Sequence, residues 1–345
     1  MNIQRSLPIP IENDRRSGRR KAFSHFDTPP DLSNSFTSSL SPNLSAPTPP
    51  NFVPKEPHVV SKIGSYLLTE ETELNVFHAL DAVTHEESKC KVVDSKKYAE
   101  EFAANFKLEP HDNVAPIHEV LLGEEKAYVF FPRNHGDMHQ YVRSKRKLNE
   151  EEASRLFYQM VLGVAHCHDS GVVLRDLKLR KFVFKNCQRT RVMLEGLADA
   201  FVIDDSDGDL LCDKHGCPAY VSPEILNTDP CYSGKCADVW SLGVILYTIL
   251  IGRYPFHDKE PSSLFGKIRR GKFTIPESVS SQAKCLLRSI MRVDPAERLT
   301  ADEILHHPWF RQGTLPVGSY TDSSKTSDQT VPDFFIPESE DSFFV

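Results

Sequence analysis

A short charged loop between two apolar segments constrains this chain more than any other stretch. Val172-Val173 leads into the loop and Phe182-Val183-Phe184 leads out of it, and such short apolar runs are consistent with buried strands. Between them lies Arg175-Asp176-Leu177-Lys178, and Lys181 follows five residues after Asp176. The cation at 181 cannot bind a metal such as Mg²⁺, because Mg²⁺ takes hard oxygen ligands.

This loop resembles the catalytic loop of protein kinases. In that family the Asp at the position of Asp176 accepts the hydroxyl proton of the substrate, and an Asn five residues later holds a magnesium ion. Lys181 occupies the Asn position in this chain. The resemblance therefore implies a kinase site that retains the catalytic Asp, as Asp176, but has the cation of Lys181 in place of a metal ligand.

Further motifs extend the kinase resemblance over residues 61 to 311. Ser222-Pro223-Glu224 corresponds to the Ala-Pro-Glu triplet, and Asp238-Val239-Trp240-Ser241-Leu242-Gly243 to the buried helix that follows it. The resemblance implies that Asp238 holds the backbone of the catalytic loop and that Arg298 pairs with Glu224. Breaking such a buried pair would leave an unpaired charge, so these positions are structural.

The parts that should contact nucleotide are altered. Lys91 stands at the position of the strand-three Lys, with Glu100 and Glu101 as alternative partners. Lys89 replaces the Ala that packs on adenine, and its long cationic side chain must hinder the base or extend away from it. The three glycines that let the backbone approach phosphate are also replaced. Thr69, Glu71 and Leu74 stand at these three positions.

The second metal ligand is also missing. The Asp-Phe-Gly triplet falls on Gly196-Leu197-Ala198, which has no carboxylate. Asp199 and an acidic stretch beyond it could reach a metal, although a solvated acidic loop is the favoured interpretation. Because phosphoryl transfer depends on metal ions and positioning, we predict a pseudokinase that is not an enzyme. It would use no cofactor or metal, and Asp176, Lys178 and Lys91 would be remnants.

Hydrophobic periodicity predicts an α+β fold with two lobes. A strand-rich small lobe covers about 61–132 and a helical large lobe about 133–311. Residues 1–60 are rich in Pro, Ser and Asn and predict disorder, as does the polar tail 312–345. The predicted helices are 97–106, 150–168, 238–251, 280–292 and 301–305.

Composition narrows the possible partners and compartments. The formal net charge of −7 does not favour nucleic acid. The longest apolar run, 239–251, is interrupted by Ser241 and Gly243, so no membrane span is predicted. The eight cysteines lack a zinc-binding spacing and predict reduced thiols. A basic stretch at 15–21 is either a solvated patch or a nuclear-import signal, and we expect a nuclear and cytoplasmic protein.

Several motifs together resemble the Tribbles family of pseudokinases. They are Leu174-Arg175-Asp176-Leu177-Lys178-Leu179-Arg180-Lys181-Phe182, Lys214-His215-Gly216-Cys217-Pro218-Ala219-Tyr220-Val221-Ser222-Pro223-Glu224, His307-Pro308-Trp309-Phe310 and the tail Asp328-Gln329-Thr330-Val331-Pro332. The family usually has Ser-Leu-Glu where this chain has Gly196-Leu197-Ala198. Any regulatory contact of that Glu is therefore not expected here.

The resemblance implies an adaptor. In the family the Val-Pro tail recruits the constitutive-photomorphogenesis RING E3 ubiquitin ligase, a role that falls on Asp328, Gln329, Val331 and Pro332. In the family the kinase-like domain captures CCAAT/enhancer-binding transcription factors. We expect the large lobe of this chain to bind a segment of such a substrate near 196–224.

The segment 304–310 corresponds to a region that binds MAP kinase kinases in the family. Its members are Ile304, Leu305, His307, Pro308, Trp309 and Phe310. A buried terminal helix is the alternative interpretation, and we favour it for Trp309. Two other functions stay open for the whole chain. One is a weak metal-independent kinase, and the other is a module that only sequesters signalling kinases.

Overall fold

The computed structural model describes residues 61–203, 208–227 and 231–313. The basic stretch 15–21, most of the acidic loop and the proposed ligase-binding residues Asp328, Gln329, Val331 and Pro332 lie outside them. Within the described residues the chain has a small lobe built on a curled sheet and a large helical lobe. The predicted two-lobed fold is confirmed.

The small lobe is a six-stranded antiparallel sheet in the order β1-β2-β3-β4-β6-β5. Its strands are β1 (Ser61–Ile63), β2 (Tyr66–Glu73), β3 (Val76–Asp81), β4 (Glu87–Asp94), β5 (Glu119–Leu122) and β6 (Lys126–Pro132). Two short helices, α1 (Tyr98–Glu101) and α2 (Ala103–Lys107), stand where a single helix was predicted. Buried Phe102, between these helices, packs on Phe131 of the sheet.

The large lobe contains six further helices and three two-stranded sheets. The helices are α3 (Met138–Lys145), α4 (Glu150–Asp169), α5 (Gly234–Ile251), α6 (Pro261–Arg270), α7 (Ser281–Ile290) and α8 (Ala301–Leu305). The strand pairs are β7 (Val172–Val173) with β10 (Phe201–Val202), β8 (Phe182–Phe184) with β9 (Val192–Leu194), and β11 (Leu210–Leu211) with β12 (Tyr232–Ser233).

Helix α5 forms the centre of the large lobe. It is apolar around its whole circumference, which is the pattern of a helix enclosed by protein. By length and composition alone it could also cross a membrane, but 83% of it is buried inside the structure. Ser233 caps its first turn by accepting a hydrogen bond from Cys236 N, and Gly252 ends it at φ +82°. The helix begins at Gly234, four residues before the predicted start at Asp238.

One cysteine expectation is wrong. The structure joins Cys212 and Cys231 in a disulfide, whereas the sequence predicted reduced thiols throughout. The two residues are 19 apart in the chain and no short cysteine spacing links them. The pairing of β11 with β12 brings them together, and sequence spacing does not reveal it.

Candidate functional site

A buried carboxylate fixes the backbone of the charged loop. Asp238, on α5, accepts hydrogen bonds from Leu174 N at 2.7 Å and Arg175 N at 2.9 Å. Its Oδ2 also lies 3.0 Å from Nε2 of His168 at the end of α4. Arg175 has a φ of +62°, which is unfavourable for a residue other than glycine. The hydrogen bonds to Asp238 hold the backbone in this conformation. The expected role of Asp238 is confirmed.

A second expected contact holds the large lobe together. The Arg298 side chain is fully buried and donates to both carboxylate oxygens of Glu224, at 2.7 and 3.1 Å. The same guanidinium also donates to the carbonyl oxygens of Arg292 and Cys236. This two-pronged pairing explains how the buried charges are compensated.

Lysine side chains fill the position at which a metal would be bound. The Lys181 Nζ lies 2.8 Å from Oδ2 of Asp199 and 4.0 Å from Oδ2 of Asp176. Lys178 forms a close ion pair with the same Asp176 oxygen. Both acidic groups near the site are therefore neutralised by ammonium groups. No group of three or more possible metal-binding side chains occurs in the part of the chain that the structure describes.

The pKa shifts agree with this pairing. Burial raises the pKa of Asp199, but the hydrogen bond and charge of Lys181 outweigh it, so the pKa of Asp199 is lowered. Burial lowers the pKa of Lys178, yet the hydrogen bond with Asp176 raises it above its ordinary value. Both shifts favour the charged forms of Asp199 and Lys178. The interpretation of Asp199 as a free metal ligand is not supported by this geometry.

The first residues after β9 place a different carboxylate in the cleft. Gly196 adopts φ +79°, Leu197 is buried, and the triplet Gly196-Leu197-Ala198 carries no side-chain oxygen for a metal. Glu195 instead accepts from Lys89 Nζ at 2.5 Å and from Asn134 Nδ2 at 2.8 Å. Lys89 thus does extend away, toward Glu195. We name these three residues the cleft clasp; the sequence did not predict it.

The cleft between the lobes has a volume of about 690 Å³. The cleft clasp lies in its wall, together with Lys181 and Gly196. Lys91 pairs with Glu101 at 2.6 Å, which decides between the two alternatives in favour of Glu101. The ion pair expected of a kinase small lobe is therefore present, although the groups around it are altered.

The hairpin that should cover phosphate is closed by its own side chains. Glu71 Oε1 accepts from Asn75 N at 2.8 Å, and Asn75 adopts φ +59° in the turn between β2 and β3. Leu74 is 86% exposed at the tip. Backbone amides in such a turn approach an anion closely only where glycines leave room. Thr69, Glu71 and Leu74 occupy that room.

The segment 304–310 is largely part of the core. Ile304 and Trp309 are buried, and Trp309 Nε1 donates to Glu150 Oε2 at 3.1 Å. Phe310 packs on Phe157 and Tyr158 of α4. Pro308 is exposed, whereas Leu305 and His307 are partly exposed. Exposed His306 and Pro308, partly exposed Leu305 and His307, and the edge of Phe310 are the parts of this segment that offer surface to a partner.

A large groove in the helical lobe was not predicted. Its volume is about 910 Å³, and it lies between α3, the end of α5 and α6. Aromatic side chains form much of its wall, including Tyr247, Tyr254, Phe256 and Phe273. Arg143, Arg146, Arg253 and Lys272 also line it, and none of their side chains has an ion pair within the described residues. The run Arg253-Tyr254-Pro255-Phe256 was the available sequence signal.

Comparison with known proteins agrees with this architecture. A model of the protein kinase domain family matches residues 63–310. Tribbles homolog 2 of Bos taurus is 56% identical over 345 residues, the full length of both chains. Tribbles homolog 1 of Homo sapiens is 56% identical over 286 residues, which is 82% of this chain and 76% of the relative. Tribbles homolog 3 of Mus musculus is 50% identical over 295 residues, covering 85% and 83% respectively. The chain therefore belongs to the protein kinase domain family and, within it, to the Tribbles family of pseudokinases.

Proposed function

We propose that this chain is a non-catalytic adaptor that binds a substrate protein and brings a ubiquitin ligase to it. The observation that carries the proposal is the position of Lys181, whose ammonium group lies between Asp176 and Asp199. Phosphoryl transfer needs metal ions at this place to neutralise the charge of the transferred group. A lysine there cannot polarise phosphate as a coordinated metal does, so several kcal/mol of transition-state stabilisation are absent.

The proposed substrates are CCAAT/enhancer-binding transcription factors. We expect them to dock near 196–224, and we propose the aromatic groove beside α6 as a second contact for the same substrates. The side chains of Arg143, Arg253 and Lys272 leave positive charge uncompensated within the described residues. A peptide with acidic and apolar side chains complements such a wall in both charge and polarity.

The proposed ligase is the constitutive-photomorphogenesis RING E3 ubiquitin ligase. Its binding residues would be Asp328, Gln329, Val331 and Pro332, which lie outside the described residues. Tethering substrate and ligase on one chain raises their effective concentration and makes ubiquitin transfer effectively intramolecular. We also propose MAP kinase kinases as partners of the exposed part of 304–310. A nuclear and cytoplasmic location belongs to the same proposal.

A thermal-shift titration with ATP tests the non-catalytic part. A ligand that binds the folded state raises the melting midpoint, so the full chain is titrated with Mg²⁺ and separately with chelator. We expect no shift with Mg²⁺ beyond that seen with chelator. A shift that requires Mg²⁺ would contradict the assignment of Lys181, and an intact protein kinase serves as the positive control.

Co-precipitation with purified partners tests the adaptor part. The double variant Val331→Ala/Pro332→Ala is expected to lose the ligase and keep the substrate. Arg143→Glu/Arg253→Glu is expected to lose the substrate and keep the ligase. Substrate turnover in cells that persists in the tail variant would exclude the adaptor. Inhibition of signalling kinases that the tail variant retains in full would favour a module that only sequesters its partners.

A further inference from the structure

Cys212 and Cys231 form a cross-strand pair next to the candidate site. Strands β11 and β12 are antiparallel, and Leu211 lies opposite Tyr232. Cys212 and Cys231 adjoin this pair at the end of the two strands, so they face each other. The Cα atoms of the two cysteines are 4.1 Å apart. Opposite residues without ladder hydrogen bonds lie about 4.5 Å apart in such sheets. The strand register alone therefore brings the two sulfur atoms together.

Solvent can reach this pair. Cys212 is exposed and Cys231 is partly exposed. By contrast Cys90 and Cys167 are buried, and burial raises the pKa of each of these thiols to about 12. Since the thiolate is the reactive form, those two cysteines are inert toward oxidants and reductants. Cys187 and Cys285 are also exposed, but Cys212 and Cys231 are the accessible cysteines that the structure brings together.

The pair lies among contacts that fix the chain between the charged loop and α5. Asp209 accepts hydrogen bonds from Ser233 Oγ and from Lys235 N. The Tyr232 hydroxyl donates to the carbonyl oxygen of Asp213 at 3.0 Å, and the Asp213 carboxylate pairs with Arg175 of the charged loop. A bond between Cys212 and Cys231 adds a covalent closure to these contacts. Residues 214–224 lie inside the loop that it closes.

We propose that Cys212 and Cys231 are a reversible thiol-modification site, oxidised by hydrogen peroxide and reduced by dithiols. One thiolate attacks a peroxide oxygen and breaks the O–O bond, forming a sulfenic acid while the departing hydroxide takes up a proton. The second thiolate attacks the sulfenic sulfur and displaces the hydroxyl group, which leaves as water after protonation. Two thiols lose two electrons, and one peroxide becomes two water molecules. A dithiol restores both thiols through a mixed disulfide.

The proposed nuclear and cytoplasmic location makes the disulfide between Cys212 and Cys231 transient. In a nuclear or cytoplasmic protein, the location proposed above, thiols are held reduced and a disulfide marks redox sensing. An exposed disulfide is among the labile ones. The proposal does not depend on the adaptor role, because its products are read on the purified chain. Its structural consequence is that oxidation restrains residues 214–224 against local opening.

Peptide mapping tests the chemistry. The full chain is reduced, freed of reductant, exposed to micromolar peroxide and digested without reduction. We expect peptides containing Cys212 and Cys231 to be linked, and the link to disappear after treatment with dithiothreitol. Cys217→Ser should keep the link, whereas Cys212→Ser and Cys231→Ser should lose it. A link from Cys212 to Cys217, or oxidation of exposed Cys187 and Cys285 before any link forms, would overturn the proposal.

Limited proteolysis of the folded chain tests the consequence. Trypsin cleavage after Lys214 follows the population of the locally opened state, and we expect it to be about tenfold slower in the oxidised chain. Cys212→Ser should be cleaved at the reduced rate with or without peroxide, and Cys285→Ser should behave as the parent. Equal rates for the oxidised and reduced parent would show that the bridge restrains nothing. A melting midpoint of reduced Cys212→Ser equal to that of the reduced parent controls for folding.

Discussion

At the scale of single residues, Lys181 places its ammonium group between Asp176 and Asp199. The Lys181 ammonium group pairs with Asp199, so replacement with Asn should free the Asp199 carboxylate and add an oxygen ligand, while Lys178 stays paired with Asp176. We expect Lys181→Asn to gain a Mg²⁺-dependent rise in melting midpoint that the parent lacks. The rise should be about 3 °C when Mg²⁺ is in tenfold excess over its dissociation constant.

The matched control for this substitution is Lys185→Asn. Lys185 also pairs with a carboxylate, that of Asp112, but on the surface and away from the cleft. It should gain no response to Mg²⁺. An unresponsive Lys181→Asn variant would show that Lys178, which stays on Asp176, is sufficient to exclude the metal.

At the scale of elements, Glu150 joins three segments of the large lobe. It stands at the start of α4 and accepts hydrogen bonds from Ser280 N and Oγ at the start of α7 and from Trp309 Nε1. Burial raises the pKa of Glu150, but these hydrogen bonds outweigh it and the pKa is lowered. The contribution to stability is therefore present above the unfolded-state pKa and is lost as pH falls through the lower folded-state pKa.

Glu150→Gln should destabilise the chain at neutral pH by about 1 kcal/mol, because the hydrogen bonds lose a charged acceptor. The difference from the parent should shrink as the pH falls below the unfolded-state pKa of about 4.3 and on through the lower folded-state pKa, at which the carboxylate of the parent is also protonated. Urea unfolding at several pH values measures this difference in the free energy of unfolding. Glu151→Gln is the control, since Glu151 is exposed and its ion-pair partner among the described residues is Arg155 on the same helix. A difference that stays constant with pH would refute the assignment.

The sequence predicted elements best where burial is regular. Helix α4 was predicted to within one residue and α8 to the residue, because several side chains of α4 face the core at helical spacing and Thr300 caps α8. Helices α3 and α6 were missed. Only Met138 and Val142 are buried in α3, and only Ile268 in α6, so their apolar pattern is too sparse to detect.

The candidate site was predicted in its residue types but not in its partners. The sequence identified Lys181, Lys89 and the missing carboxylate at Gly196. It could not show that Lys89 pairs with Glu195, which is 106 residues away in the chain. Such a contact depends on the relative placement of two lobes, and local pattern carries no information about it.

At the scale of the whole molecule, the cleft clasp connects the two lobes where a nucleotide would otherwise lie. Lys89 belongs to β4 of the small lobe, Glu195 follows β9 in the large lobe, and Asn134 follows β6 at the junction. The Glu195 side chain is 11% exposed and that of Lys89 is 29% exposed. A partly buried pair with an additional amide donor is screened less by solvent than a surface pair.

A double-mutant cycle with Lys89→Met and Glu195→Gln measures this connection. We expect a coupling energy of about 1 kcal/mol in urea unfolding, with faster hydrogen exchange in β3 and β4 of each variant. The surface pair Glu151 and Arg155 provides the reference, for which about 0.3–0.5 kcal/mol is expected. If the two couplings were equal, the lobes would be held by sheet and hinge packing alone. A larger coupling at the clasp would mean that this contact in the wall of the cleft also fixes the two lobes relative to each other.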